Sequence, residues 1–299
     1  MNKVIVLGSI NMDMVMETDR LPKIGETLLG ESIDYYVGGK GANQAVAAAR
    51  IGSNVSLVGK IGEDTFGSKV YKHLEKEKID VSAVTFEKNI FTGVASIFKL
   101  KEDNAIVVLP GANMLLNDID DELNKKIQAE DVLLTQLEIP IETVKKGLAL
   151  AKDKGAITIL NPAPYNDSVI DMLPFVDIIT PNETEFEGLL GHPITDSAQF
   201  EKEMLNWSKT NDTQLIVTRG GEGISYTNEN NVITIPAEKV TVVDTTGAGD
   251  TFNGILAACL AKGMTVSESI KISGKGATLS VTKLGAQTGM PTLAEINAF

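Results

Sequence analysis

Short, uninterrupted apolar runs alternate along this chain with segments of helical period. That alternation constrains the fold more than any other feature. VIVLG (4–8), NVSLVGKIG (54–62), DVLLTQL (131–137), AITILN (156–161), VDIIT (176–180) and QLIVT (214–218) read as strands. They lack the in–out alternation of a half-exposed strand, so both of their faces should be covered. Between them stand ANQAVAAARI (42–51), an Ala-rich helix stopped by Gly52, and the amphipathic DTFGSKVYKHLEKEK (64–78). Further helical segments fall near 141–154, 182–190 and 197–209. Strands separated by helices are joined by crossovers, which make them parallel. The expected fold class is α/β, a doubly wound and mainly parallel sheet.

Two stretches, 13–37 and 91–110, break this rhythm with strand-like segments that no helix joins. In the second, TGVASIFKL and NAIVVLP flank KEDN (101–104), a turn sequence that predicts a hairpin. Both stretches are expected to form a small β-lid. It would stand over the C-terminal edge of a main unit made of 1–12, 38–90 and 111–299. Open α/β sheets bind ligands at that edge.

The 299 residues are 43% hydrophobic, enough for a sizeable core. Lys and Arg number 27 against 40 Asp and Glu, a formal net charge of −13. Such a surface disfavours nucleic acid or an anionic membrane as partner. A small anion is still accommodated where helix N-termini and backbone amides supply local positive potential. The one cysteine, Cys259, lies in an apolar helical stretch and suits a reducing compartment. The first apolar run ends at Leu7, too short for a secretory signal, and no run approaches the roughly 18 apolar residues of a membrane span. A cytoplasmic protein is expected.

Several chemistries lack their motifs. GGKGAN (38–43) has the wrong spacing for a GxxxxGK[ST] phosphate loop. The first strand runs into GSIN rather than GxGxxG. The two histidines, His73 and His192, stand apart from any Cys/His cluster, so zinc is disfavoured. His73 is expected on a solvated helix face and His192 in a GHP turn.

The strongest chemical segment is VVDTTGAGDTFNG (242–254), read as a strand ending at Val243, a glycine turn and a helix. Such a turn aims backbone N–H groups of Gly247, Ala248 and Gly249 at one point, at the positive end of the helix dipole. That is an anion hole suited to a transferring phosphoryl group. Asp250 beside it can accept a proton from an attacking hydroxyl; a weak base suffices for a loose transition state. In isolation the same residues also describe a capped helix after a plain turn.

With GGKGANQAVAAARIG (38–52) and Gly62 upstream, these motifs make the chain resemble the ribokinase-like (PfkB) family of carbohydrate kinases from Val4 to Pro291. The resemblance implies a three-layer sandwich and ATP-dependent phosphorylation of a sugar, with Asp250 as base. It implies sugar contacts from Asn11, Met12, Asp13, Gly39, Lys40, Gly41, Ala42, Asn43 and Glu138. On the nucleotide side it implies Asn182 of PNETE (181–185), Thr218, Arg219, Gly220, Gly221, Glu222 and Gly223 of TRGGEG, Gly249, Asp250 and Gly274. Glu185 would hold Mg²⁺ through water. Asp244, Thr246, Ser280, Lys283, Gly285 and Gly289 would surround K⁺, mostly through carbonyls. A homodimer through the lids is implied too.

Three positions depart from the family pattern. Ile255 stands where Ala or Gly is usual, Gly274 where Asn or His is often found beside adenine, and Gly289 where Ser is common. GSINMD, Lys40 and LNPAP (160–164) look like the members that phosphorylate D-ribose. Other expectations stay open: 2-deoxyribose or a nucleoside as substrate, or a catalytically weak sugar-sensing relative.

Overall fold

The structure, a computed structural model, describes residues 2–100 and 104–299. The chain forms β1 (Val4–Leu7), β2 (Asn11–Glu17), β3 (Ser32–Gly38), α1 (Lys40–Arg50), β4 (Val55–Gly62), α2 (Thr65–Lys76), β5 (Asp80–Glu87), β6 (Gly93–Lys99) and β7 (Asn104–Leu109). Then come α3 (Asp120–Lys126), β8 (Val132–Thr135), α4 (Ile141–Asp153), β9 (Ile157–Leu160), β10 (Ile178–Ile179), α5 (Glu183–Leu190), α6 (Ser197–Asn211) and β11 (Gln214–Thr218). The hairpin β12 (Ile224–Asn228) and β13 (Asn231–Ile235) precedes α7 (Ala248–Ala261), α8 (Val266–Ser280) and α9 (Leu293–Ala298).

Among the described residues, nine strands build the main sheet in the order β13-β12-β11-β10-β9-β8-β1-β4-β5. Neighbours from β11 to β5 are parallel, and the terminal hairpin is antiparallel. The chain builds outward from β1 in both directions, so the topological switch lies between β1 and β8. The crevice at a switch point is where such sheets take ligands.

The period of two along β1 sorts its side chains between two cores. Val4 and Val6 join Ala45, Val46, Phe252 and Leu256 from α1 and α7. Ile5 and Leu7 join Leu123, Val144, Leu148 and Phe186 from α3, α4 and α5. All four β1 residues are fully buried, as the unbroken apolar run predicts. Helix α7 is buried along Asp250–Ala261, and Ile255 shows why its departure is a matter of packing. Its Cδ1 occupies the space that a Cβ at Gly276 of α8 would need.

A separate four-stranded sheet has the order β3-β2-β6-β7. Strand β2 is antiparallel to β3 and parallel to β6, and β6 is antiparallel to β7. Of the KEDN turn expected at 101–104, residues 101–103 lie outside the described residues, and β7 begins at Asn104. Strand β2 begins at Asn11, so Asn11 to Asp13 lie where the chain passes from the large sheet to the small one.

The expected strand ending at Val243 is not formed. Residues 236–247 are irregular, because the β12–β13 hairpin already closes that edge of the sheet. Val243 and Asp244 instead donate their N–H groups to the Val281 carbonyl after α8, at 2.8 and 3.2 Å. Among the described residues no helix is long and apolar enough to cross a membrane.

Candidate active site

Parallel strands deliver their C-terminal ends to one edge. Ser9 and Ile10 follow β1 there, Gln136 to Glu138 follow β8, Asn161 follows β9, Asn182 follows β10 and Arg219 follows β11. A cleft of about 210 Å³ at this edge is lined by Lys40, Asn161, Ala163, Thr180, Asn182, Glu185, Thr218, Gly247, Gly249, Asp250 and Asn253. Residues expected on the sugar side, the nucleotide side and the anion hole thus share one space. A larger depression of about 290 Å³ lies by Ser208, Gln214 and Thr227, at the N-terminal end of β11. That end of the sheet carries none of the predicted residues, and the side chains there bond to one another.

Asp250 is 7% exposed, and both of its carboxylate oxygens are held by amides. Asn43 Nδ2 donates to Oδ2 at 2.9 Å, and Gln44 Nε2 donates to Oδ1 at 3.0 Å. Both donors stand on α1, so the helix that follows the first glycine turn fixes a side chain in the second.

The two helix N-termini at the cleft differ. At α1 the first amides are already engaged: Lys40 N–H donates to Glu138 Oε2 at 3.2 Å and Ala42 N–H to the Ser9 carbonyl at 2.9 Å. A Cβ at Gly41 would lie within 2.9 Å of Gly8 and Ser9 backbone atoms, so only glycine permits this approach. At α7 the Ala248 N–H donates to the Thr245 carbonyl at 3.3 Å, whereas Gly247 and Gly249 N–H groups have no acceptor among the described residues. Gly247 has φ 77°, the left-handed turn that aims them. The turn is braced from below. Thr251 Oγ1 donates to the Gly247 carbonyl at 2.8 Å, and Asn253 Nδ2 to the Gly249 carbonyl at 2.9 Å. Thr180 Oγ1 after β10 donates to Asn253 Oδ1 at 2.6 Å.

On the sugar side, Ser9 Oγ donates to Glu138 Oε2 at 2.5 Å, so Glu138 joins the β1 exit to the start of α1. Asn11 is buried and its Oδ1 accepts from Asn113 Nδ2 at 2.8 Å, which turns the Asn11 Nδ2 group out as a donor. Burial pushes the Asp13 carboxyl up to about 7, with the charges of Glu138 and Asp250 adding to the effect. Burial alone would lower the Lys40 ammonium. The carboxylates of Asp250, Glu138 and Glu185 outweigh it and hold Lys40 above its ordinary value. Met12 and Ala42 are buried beside these groups.

On the nucleotide side, Asn182 and Glu185 form a capping box at α5. Glu185 N–H donates to Asn182 Oδ1 at 2.8 Å, and Asn182 N–H donates to Glu185 Oε2 at 2.9 Å. Both still line the cleft. Gly220–Glu222 makes a short 3-10 turn after β11, with positive φ at Gly220 and Gly223. The Arg219 guanidinium is turned aside, 4.3 Å over the Phe200 ring and paired with Glu183 at 2.9 Å and Glu222 at 2.5 Å. Any nucleotide contact from Arg219 therefore falls to its backbone. Gly274 lies within α8, where an added Cβ would meet Ile224 Cδ1 at 2.9 Å.

The candidate cation loop is held by Asp244. Its Oδ1 accepts from Thr246 N–H at 2.9 Å and its Oδ2 from Gly285 N–H at 2.8 Å. Burial works against its charge, but these donors and the Thr246 hydroxyl prevail and lower its pKa. The Lys283 ammonium points to Glu295 at 3.5 Å, so that residue offers the loop only its carbonyl. A Cβ at Gly289 would run into the Ser280 carbonyl, so any ligand at Gly289 is backbone as well. A carboxylate and backbone carbonyls are the donor types that suit a hard monovalent cation, and here both Asp244 oxygens already accept from backbone N–H groups.

Several site residues escaped the pattern. Gln44, Gln136, Asn161, Asn113 and Gln287 are buried polar groups, each bonded to predicted residues or to one another. A polar residue on an Ala-rich helix or after an apolar strand was the available signal. His73 is not a free surface residue: its Nε2 lies 2.8 Å from Gln287 Oε1, because α2 packs its half-exposed side against the 281–290 segment. His192 stays in its turn, and burial raises the Cys259 thiol to about 11.

Comparison with known proteins places the chain in a family. The pattern of the pfkB family carbohydrate kinases matches residues 1–293. Ribokinase of Lactococcus lactis is 42% identical over 308 residues, covering 100% of this chain and 97% of the relative. The crystal structure of Thermotoga maritima ribokinase superposes with a TM-score of 0.88 at 34% identity, covering 100% of this chain and 99% of that one. The structure of Arabidopsis thaliana ribokinase with ribose and ATP gives 0.89 at 29% identity, covering 99% and 98%. The chain therefore belongs to the pfkB family of carbohydrate kinases.

Proposed function

We propose that this chain transfers the γ-phosphoryl group of ATP to the 5-hydroxyl of D-ribose, giving D-ribose 5-phosphate, with Asp250 as the base. The observation that carries this reading is a buried, doubly anchored carboxylate beside two acceptor-free amides at the start of α7. The sugar hydroxyl lies against Asp250 and loses its proton to it as its oxygen bonds to the γ-phosphorus and the bond from that phosphorus to the bridging oxygen breaks, releasing ADP. Gly247 and Gly249 N–H groups receive the developing charge on the phosphoryl oxygens, reinforced by the α7 dipole. Lys40, held charged by three carboxylates, adds a mobile positive group at the same point. Asn11, Asp13, Gly39 to Asn43 and Glu138 bind and orient the sugar hydroxyls.

Thr218, the 219–223 turn and Asn182 receive the nucleotide, with Gly274 on its adenine side. Mg²⁺ would be held through water by Glu185 and would neutralise phosphate charge when bound; a single carboxylate suits an ion that keeps several waters. K⁺ would sit among the Asp244 carboxylate and the carbonyls near Thr246, Ser280, Lys283, Gly285 and Gly289, bracing the turn before Gly247. The small sheet is the lid, and the two segments that form it are 13–37 and 91–110. Its face that carries Asn11 and Asp13 continues outward as Val15, Ile97, Ile106 and Val108. Ile106 and Val108 are 51% and 46% exposed, and a second copy of the lid covers them in a homodimer. ATP as co-substrate and a reduced Cys259 fit the cytoplasm.

ADP release with Mg-ATP and K⁺ over ribose, 2-deoxyribose, fructose and adenosine tests the reading. Ribose is expected to give the highest kcat/KM. Preference for 2-deoxyribose moves the sugar and keeps the mechanism, and no turnover with any acceptor sinks the enzyme reading in favour of sensing.

A further inference from the structure

Gln44 stands on α1 with no solvent exposure, and its side chain makes three hydrogen bonds. Its Nε2 donates to Asp250 Oδ1 at 3.0 Å and to Asn161 Oδ1 at 3.1 Å. Its Oε1 accepts from Gln136 Nε2 at 2.5 Å. The arrangement leaves Gln136 Oε1 buried with no partner among the described residues.

That orphan reveals what sets the amide orientations. Turning Gln136 over would aim its oxygen at Gln44 Oε1. Turning Gln44 over as well would aim an oxygen at the Asp250 carboxylate. Either change sets two acceptors face to face away from water. The network therefore leaves a carbonyl unsatisfied at its far end and keeps an N–H on the carboxylate at its near end. The Asp250 carboxylate only accepts, so Gln44 must present its N–H there, and Gln136 must present its own N–H to the Gln44 oxygen.

We infer that Gln44 is a positioning residue for phosphoryl transfer and that Gln136 orients Gln44. The inference rests on the reading of Asp250 as base. Asn43 holds Oδ2, and its own Oδ1 accepts from Gln287 Nε2 at 2.9 Å. Gln44 holds Oδ1 from fully inside the protein. Together they stop the carboxylate from rotating about Cβ–Cγ, so one oxygen edge stays aimed at the acceptor hydroxyl. A reacting group displaced by about 1 Å loses on the order of 10²-fold in rate.

Gln44→Met keeps the length of the side chain and removes the donor. Steady-state kinetics with ribose and Mg-ATP, alongside thermal unfolding, separate a positioning role from a structural one. The expected result is kcat lower by roughly 10- to 100-fold, with KM for ribose and ATP within about two-fold of wild type. Gln136→Met should lower kcat in the same sense by less. The double variant should be no worse than Gln44→Met alone, because both act through one contact. A folded Gln44→Met with wild-type kcat overturns the inference, as does a change confined to KM. If Gln44→Met does not fold, Gln136→Met decides: lower kcat at constant KM supports the inference, and wild-type kcat overturns it. Asp250→Asn run in parallel identifies which claim has failed. An inactive Asp250→Asn beside an unaffected Gln44→Met removes only the positioning role. An active Asp250→Asn removes the base and the inference together.

Discussion

Asn43 Nδ2 and Asp250 Oδ2 lie 2.9 Å apart across 207 residues of sequence, and this bond joins the two glycine motifs of the chain. It also extends outward. Gln287 Nε2 donates to Asn43 Oδ1 at 2.9 Å, and Gln287 Oε1 faces His73 Nε2 at 2.8 Å. Asp250 is thus anchored to α1 and, through α1, to the segment that carries the candidate cation ligands Gly285 and Gly289.

Asp250→Asn keeps the size of the side chain and abolishes its ability to take a proton. We expect kcat to fall by about 10²- to 10⁴-fold, the usual worth of a general base. Sugar binding should largely persist, because Asn11, Asp13 and Glu138 are untouched. Calorimetric titration with ribose and an ADP-release assay check the two halves separately. Retained turnover would remove Asp250 from the chemistry.

The glycines of the proposed anion-hole turn should respond differently to alanine. Gly247 is at φ 77° and a Cβ there meets Ala286 Cβ at 2.8 Å, so Gly247→Ala forces a left-handed alanine into a contact. The left-handed conformation alone costs about 1–2 kcal/mol, and we expect Tm to drop by several degrees. Gly249 is different: a Cβ there meets nothing within 4 Å, and the residue lines the cleft. Gly249→Ala should leave Tm near wild type and still depress kcat, because the methyl group occupies the space of the phosphoryl oxygens. Thermal melts and steady-state rates on both variants separate fold from function.

Asp13 supplies a pH signature. Its carboxyl is raised to about 7 by burial, reinforced by Glu138 and Asp250. Ribose hydroxyls that donate to it stabilise the ionised form, so sugar binding draws the pKa down. Ribose affinity should therefore strengthen as pH rises through 7 and level off above it. Stability of the free protein runs the other way. The folded state binds the proton more tightly than the unfolded chain, so this group's contribution is full below about 4 and is lost as pH rises through 7. Asp13→Asn should flatten both curves. Ribose KM and Tm measured from pH 5.5 to 8.5 test this, and a wild-type KM that does not change across the range rules out titration of Asp13 in binding.

The parallel core was legible because its signal is local. Unbroken apolar runs such as Val4–Leu7 are strands buried on both faces, and the helices between them leave no other connection. The glycine turns were legible for a similar reason, since Gly41 and Gly247 answer to close approach and to positive φ. What local patterns do not carry is the pairing of side chains far apart in sequence. Gln44 looks like a polar residue on a small helix, and its meaning appears only when Gln136 and Asp250 close around it. The segment before Asp244 reads as a strand because Val242 and Val243 are apolar and β-branched, yet it forms none. They are 58% and 56% exposed, and no strand neighbour remains for them once β13 has closed the sheet.

The lid offers the last test. Register puts Ile106 and Val108 of β7 on the same face as Asp13 of β2, while Tyr35 of β3 is on the other face, where its ring lies 5.8 Å from Phe66 of α2. Both faces carry uncovered apolar side chains, Ile106 and Val108 on one and Val107 and Leu109 on the other, and the first of them continues from the proposed sugar ligands. A second copy that covers the outer part would also shield the sugar side from water. Ile106→Glu combined with Val108→Glu places two charges in that surface without touching a proposed ligand. Light scattering should shift from dimer to monomer, and Tm should fall and lose its dependence on protein concentration, since a partner that binds only the folded chain stabilises it. Ribose KM should rise while kcat at saturating sugar is largely kept, because shielding acts on the bound sugar rather than on Asp250. A wild-type protein that is monomeric at micromolar concentration would leave this face without its partner and break the link between assembly and sugar affinity.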